Sequence, residues 1–168
     1  MSENAITPFW RFSLNFYRQA GVSDACIALQ DGCGVDVNLL LFLLWLASES
    51  RQMSPGDVKA LDEKVRSWRE LTIVPVRDVR RKLKGAATLV APDKQEAFRD
   101  KVKAVELEAE QLQQQALYGF TTSSPLGVQA ASRAAARANI AAYEGAIGQS
   151  FPKHAAELLA AAFDAVAA

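Results

Sequence analysis

The residues best suited to chemistry form a basic run that includes Arg77, Arg80, Arg81 and Lys84. On a helix, Arg77, Arg81 and Lys84 share one face, and Arg80 lies beside them, three residues after Arg77. Guanidinium groups bind phosphates and carboxylates through paired hydrogen bonds. Cations in a last turn also complement the helix dipole while remaining solvated. The run therefore predicts either a surface that binds an anion or an acidic protein partner, or a solvated helix end.

A second polar set precedes the most apolar segment of the chain. Asp31, Asp36 and Asn38 could hold a hard cation, but their spacing does not match a calcium-binding loop. We expect Asp36 to cap the helix that follows it, and Asn38 to need buried partners because its neighbours are apolar. Aromatic side chains with polar groups could complete such a site. The candidate polar pocket comprises Asp31, Asp36, Asn38, Trp10, Tyr17 and Trp68.

Familiar catalytic and metal-binding patterns do not occur in the sequence. His154 is the single histidine, and it has no partner at a metal-ligand spacing. Glu106 and Glu110 share a helix face, but they lie among other polar residues, which favours a solvated face. The motif Gly32-x-Gly34 lacks the third glycine of a dinucleotide-binding loop. We therefore predict no catalytic residue, no metal ligand and no cofactor.

Length and composition limit the class of protein. The chain has 168 residues, with 19 basic and 19 acidic side chains, so its formal net charge is zero. This balance argues against a nucleic-acid-binding protein. Two cysteines, Cys26 and Cys33, are too few for a disulfide framework, and we expect both thiols to be reduced and buried. The apolar run 39–47 is too short to span a membrane, and no secretory signal is evident. A cytoplasmic location is expected.

The periodicity of apolar residues is helical almost throughout, and each proline stands where a helix could begin. Three hydroxyl residues directly before a proline predict N-caps, at Thr7, Ser54 and Ser124. Asp57 would complete a capping box with Ser54. We predict an all-α fold, a compact bundle of about eight helices around a central apolar helix at 36–51. The predicted helices are 8–20, 23–31, 36–51, 55–71, 74–84, 92–119, 125–147 and 152–167.

The domain organisation is indicated by a change of composition after Gly119, where the chain becomes rich in Ala. We predict a helical core domain at 1–119. An Ala-rich extension, a helical pair at 120–168, is expected to pack on it. In the long helix 92–119, apolar residues alternate at spacings of four and three, which suits a bundle or an antiparallel hairpin. This seam consists of Phe98, Val102, Val105, Ala109, Leu112 and Ala116.

Several of these segments together resemble a family of small, uncharacterised proteobacterial proteins, a domain of unknown function. The resemblance covers about residues 9–118 and implies a bacterial cytosolic setting, but no activity, cofactor or catalytic residue. The matching segments are Phe9-Trp10-x-Phe12-Ser13, Tyr17, Gly21-Val22, Ala25-Cys26, Leu29-Gln30-Asp31, Gly34, Asp36-Val37-Asn38-Leu39-Leu40-Leu41-Phe42, Trp45, Trp68-Arg69 and Pro75-Val76-Arg77-x-x-Arg80-Arg81-x-Leu83-Lys84.

Two functional hypotheses follow from these observations. The first is a non-enzymatic helical module that binds a protein partner or a second copy of itself, and it rests on the basic helix and the missing catalytic patterns. The alternative is a small-ligand-binding or metal-assisted helical enzyme that acts on a phosphate- or carboxylate-bearing substrate. In that case Asp31, Asp36 and Asn38 would face Arg77, Arg80 and Arg81 across a pocket.

Overall fold

The computed structural model describes residues 6–167 and confirms the all-α fold. Within that range there are eight α-helices and one two-stranded antiparallel pair. The helices and strands, in chain order, are α1 (Pro8–Tyr17), α2 (Val22–Cys33), α3 (Val37–Ser48), β1 (Arg51–Gln52), α4 (Pro55–Trp68), α5 (Val74–Leu83), α6 (Pro92–Gly119), β2 (Val128–Gln129), α7 (Ser132–Ile147) and α8 (Lys153–Val166).

The chain divides into two compact units. The first combines residues up to Asp62 with residues from Gln114 onward, and the second is Glu63–Gln113. The boundaries fall inside α4 and α6, so each of these helices contributes to both units.

The first unit is organised around α3, as the sequence predicts for a helix that is apolar on every side. Every residue from Asn38 to Ala47 is buried. Helices α1, α2 and α7 pack on α3, and α8 packs on α2 and α7. Phe9, Phe42 and Trp45 form an aromatic cluster in this core, with ring centroids 5.1–5.6 Å apart.

Local capping explains where several helices begin. Thr7 accepts a hydrogen bond from the Trp10 backbone N–H at 3.0 Å. The capping box also forms, because Asp57 Oδ2 accepts from the Ser54 backbone N–H at 2.9 Å and Ser54 Oγ accepts from the Asp57 N–H at 3.2 Å. These three hydrogen bonds satisfy donors that a helix N-terminus leaves unpaired.

The segment around Pro125 differs from the prediction, since α7 begins at Ser132 rather than at Pro125. Tertiary contacts hold this stretch extended: Arg51 Nε donates to the Leu126 carbonyl at 2.7 Å, and β2 pairs with β1. The same pairing shortens α3, which was expected to reach residue 51. Ser50 has a φ of 60°, and Arg51 and Gln52 form β1.

The C-terminal helices α7 and α8 belong to the first unit, with α7 against α3 and α8 against α2. The domain boundary expected after residue 119 stays a prediction. Across residues 6–167, no helix combines the length and apolar character needed to cross a membrane.

Candidate functional site

The second unit, Glu63–Gln113, is a helical hairpin. Its first arm consists of the end of α4 followed by α5, and its second arm is α6. A π-helical turn within the first arm positions the basic residues. Residues Arg69–Ile73 form a π-helical turn between α4 and α5, and the Val74 N–H bonds to the Arg69 carbonyl. Pro75 lacks an N–H and would clash with the carbonyl four residues earlier, so the helix widens before it rather than breaking. The sequence predicted separate helices at 55–71 and 74–84, and the gap between them was wrong.

The centre of the hairpin is an ion-pair network between α5 and α6. Arg77 Nε lies 2.8 Å from Glu106 Oε1, and Arg77 Nη2 lies 2.7 Å from Glu110 Oε1. Arg80 donates to Glu106 from both Nε and Nη2. Glu106 is 5% exposed, so the expectation that Glu106 lies on a solvated face was wrong. The basic residues on α5 neutralise the carboxylate on α6 that is buried with them.

The charges of this network reinforce one another. Burial raises the pKa of Glu106, but hydrogen bonds and positive charge from Arg80 and Arg77 outweigh it, so the pKa lies below its ordinary value. The hydrogen bond from Arg80 to Glu106 raises the pKa of Arg80 in turn. Glu106 and Arg80 are therefore both charged at neutral pH.

Polar bonds brace both ends of the hairpin. At one end Trp68 Nε1 donates to the Ala109 carbonyl at 3.0 Å. At the other, the buried Gln95 donates through Nε2 to the carbonyls of Leu83 and Ala86, both at 2.9 Å. Long polar side chains thus join the two helical arms along most of their length.

The four residues of the predicted basic surface have different environments. Arg77 and Arg80 are half-buried in the ion-pair network, whereas Arg81 on α5 and Lys84 directly after it are exposed. Lys82 forms an exposed ion pair with Asp78 at 2.6 Å. The structure therefore presents Arg81 and Lys84 to solvent, and assigns Arg77 and Arg80 an internal partner.

The candidate polar pocket is divided between the units. Trp68 lies in the hairpin, while the other members lie in the first unit. Asp36 caps α3, since Asp36 Oδ1 accepts from the backbone N–H groups of Asn38 and Leu39 at 2.9 and 3.3 Å. Asp31 and Tyr17 are exposed, and Trp10 is half-buried on α1.

Asn38 has the buried partners that the sequence required. Asn38 Oδ1 accepts from Gln114 Nε2 at 2.9 Å, and Gln114 Oε1 accepts from Ser13 Oγ at 2.9 Å. All three side chains are buried, so this chain of hydrogen bonds satisfies polar atoms within the first unit.

Two further polar residues of the first unit were missed by sequence reasoning. Asn139 is fully buried on α7. Its Nδ2 donates to the carbonyls of Leu43 and Arg51, and its Oδ1 accepts from the Met53 N–H at 2.7 Å. Tyr143 Oη accepts from the Asp36 backbone N–H at 2.8 Å. For Asn139, the signal available in the sequence was a lone Asn in an Ala-rich amphipathic helix.

The cysteines differ in exposure. Cys26 is buried, and burial raises the pKa of its thiol to about 12, whereas Cys33 is half-buried. The expectation that both thiols are buried therefore holds only for Cys26. Among the residues described, no group of three or more His, Cys, Asp or Glu side chains is arranged to hold a metal ion.

The hairpin exposes an unusual share of large apolar side chains. Its buried apolar residues, within a segment that the structure describes completely, are Val65, Ile73 and Ala109. Ten large apolar residues of the hairpin are exposed, among them Leu71 at 78%. The set is Trp68, Leu71, Val74, Val79, Leu89, Val90, Phe98, Val105, Leu107 and Leu112.

Fold and site together define a small all-α protein with an ion-paired helical hairpin that carries apolar residues on its surface. The chain belongs to the family described as "Protein of unknown function (DUF2390)", which matches residues 8–117. The resemblance to a family of unknown function is thereby confirmed, and the match includes the whole hairpin. No curated protein and no solved structure matches the sequence.

Proposed function

We propose that this chain is a non-enzymatic helical interaction module of the bacterial cytoplasm, and that the hairpin Glu63–Gln113 binds a partner protein. One observation carries the proposal: the hairpin exposes its large apolar side chains while long polar side chains join its two arms. Large apolar side chains exposed at neighbouring helical positions, such as Leu71 and Val74, mark an interaction site in soluble proteins.

The charge of the hairpin indicates the chemistry of the partner. Residues 63–113 contain twelve basic and nine acidic side chains. Arg81 on α5 and Lys84 directly after it are exposed. A surface that exposes both apolar and basic side chains fits a partner that presents apolar and acidic side chains.

The alternative of an enzyme acting on an anionic substrate has weaker support. It needs guanidinium groups that are available to the substrate, and those of Arg77 and Arg80 bind carboxylates of α6. Asp36 Oδ1 likewise accepts from backbone N–H groups of α3. These contacts favour a structural role for Arg77, Arg80 and Asp36, which the enzyme hypothesis would place at the substrate.

Site-specific photo-crosslinking in the native host tests the proposal. A photoreactive amino acid is placed at Leu71, which is 78% exposed on the hairpin, and in a parallel strain at Ile27, which is 45% exposed on α2. We expect a discrete adduct with one partner protein from position 71 and no such adduct from position 27.

A charge substitution makes the result specific. Val74→Asp changes a second exposed residue of the hairpin, and it should remove the adduct formed from position 71. Ile147→Asp, on α7, is the matched control and should leave the adduct in place. Equal adducts from positions 71 and 27, or an adduct insensitive to Val74→Asp, would show that the hairpin is not the binding surface.

A further inference from the structure

One face of α6 combines an apolar stripe with a line of charges. Phe98, Val105 and Leu112 are 56%, 52% and 43% exposed. They are seven residues apart, so they lie along one face of the helix with only a slight drift. Lys101 and Glu108 are also exposed and seven residues apart, and they run along one edge of this stripe. We call these five residues the α6 stripe.

The α6 stripe is separate from the contacts that hold the hairpin together. On the same helix, Glu106 and Glu110 bind arginines of α5, and Ala109 accepts from Trp68. Phe98, Val105 and Leu112 remain exposed among the residues that the structure describes. The seam that the sequence predicts for hairpin packing is thus only partly used within the chain.

The order of residues in the stripe is self-complementary. Phe98 lies seven residues before Val105, and Leu112 lies seven residues after it. Lys101 precedes Val105 by four residues, and Glu108 follows it by three. A two-fold axis through Val105 therefore places Phe98 against the partner's Leu112 and Lys101 near the partner's Glu108, and each contact occurs twice.

We propose that a second copy of this chain binds the α6 stripe, with the two α6 helices antiparallel and Val105 at the two-fold axis. Charge selects this arrangement, because a parallel pair in register would bring like charges at Lys101 close together, whereas the antiparallel pair joins opposite charges. The proposal goes beyond the proposed function, because the α6 stripe does not include Leu71 or Val74.

The first test measures self-association of the purified full-length chain by sedimentation velocity over a concentration series. We expect a monomer–dimer equilibrium. Val105→Glu brings two carboxylates together at the axis and should weaken the dimer at least about tenfold. Leu107→Glu is the matched control, since Leu107 is 52% exposed on the opposite side of the same helix, and it should leave the dissociation constant unchanged.

A charge exchange then tests the antiparallel geometry. Lys101→Glu and Glu108→Lys should each weaken self-association several-fold, because each variant sets like charges together twice. A mixture of the two variants should form a heterodimer as strong as the wild-type dimer, since both opposing pairs are restored in it. The double variant Lys101→Glu/Glu108→Lys should also regain wild-type affinity.

Three results would overturn the proposal: a monomer at every concentration, equal effects of Val105→Glu and Leu107→Glu, or no recovery in the mixed sample. Circular dichroism of each variant checks that helicity is intact. Because these measurements use the purified chain alone, their failure would leave the partner-binding role of Leu71 and its neighbours standing. Loss of the crosslinked partner would likewise leave the dimer result unaffected.

Discussion

Replacing Glu106 with Gln should destabilise the hairpin while leaving the first unit unchanged. Glu106 is 5% exposed and accepts hydrogen bonds from Arg77 Nε at 2.8 Å and from two nitrogens of Arg80. Gln has nearly the same shape, so the substitution removes charge without creating a cavity. It also turns an amide donor toward a guanidinium group that needs an acceptor.

The expected magnitude follows from these contacts. Hydrogen bonds to charged groups contribute about 1.5–3 kcal/mol each, and neutral ones about 1 kcal/mol. The Gln carbonyl can still accept from one arginine, so the loss is on the order of 2–4 kcal/mol. A neutral side chain costs less to bury, and Arg77 keeps its contact with Glu110 at 2.7 Å. We expect a net loss of about 2 kcal/mol, which is about 30-fold in the opening equilibrium.

Native-state hydrogen exchange can locate this loss, because it reports opening segment by segment. Amides of α5 should exchange about 30-fold faster in Glu106→Gln than in the wild type. Amides of the buried helix α3 should keep their protection. Asp100→Asn is the matched control, since Asp100 is an exposed carboxylate on the same helix and lies outside the α6 stripe.

Equal exchange in Glu106→Gln and Asp100→Asn would contradict this expectation, since the network would then contribute nothing. Acidification gives an independent check. The pKa of Glu106 lies below its ordinary value, so its contribution is present above the unfolded-state pKa and is lost as the pH falls through the folded one. Wild-type protection in α5 should therefore fall below about pH 4, and this fall should be smaller in Glu106→Gln.

Four further substitutions probe the first unit by urea denaturation. Gly127→Ala should lower the free energy of unfolding by about 3 kcal/mol or more, because Gly127 has a φ of 63° and an added Cβ would overlap the β1 backbone. Gly32→Ala changes an open helical position, so it should instead raise the free energy of unfolding by about 0.5–1 kcal/mol. A similar effect of both changes would contradict this account. Asn139→Asp should lower the free energy of unfolding by about 3 kcal/mol, since it replaces a buried donor to two carbonyls with an acceptor. A loss below about 1 kcal/mol would argue against a stabilising role of these hydrogen bonds. Asp57→Asn should cost about 0.5–1 kcal/mol at neutral pH. Hydrogen bonds from Ser54 lower the pKa of Asp57, so this difference should vanish as the pH falls below the folded-state pKa, and a pH-independent difference would contradict it.

The sequence predicted the features that depend on neighbouring residues. The cap at Thr7, the capping box of Ser54 with Asp57, and the buried helix α3 were all predicted and are observed. Each follows from contacts within one turn of helix or from the apolar character of a single segment. The start of α7 was misplaced because Ser124-Pro125 carries a good local start signal that a strand pairing overrides.

The candidate site was predicted in its residue types but not in its pairing. The basic run of α5 was recognised, and so was the shared face of Glu106 and Glu110, yet the two were treated separately. They are 26–33 residues apart along the chain. Complementary charge at matching helical spacing on two consecutive helices was the signal that could have joined them.

The sequence alone determined that this chain is helical, where most helices begin, and which helix is buried, because these properties follow from residue types and short spacings. Tertiary structure decided which charges are satisfied internally and which side chains remain exposed. The sequence indicates that Arg80 is a free cation, but in the fold Arg80 forms an ion pair with Glu106. The sequence predicts that Phe98 is part of a packed seam, but in the fold its side chain is 56% exposed. A side chain's role here depends on which distant segment packs against it.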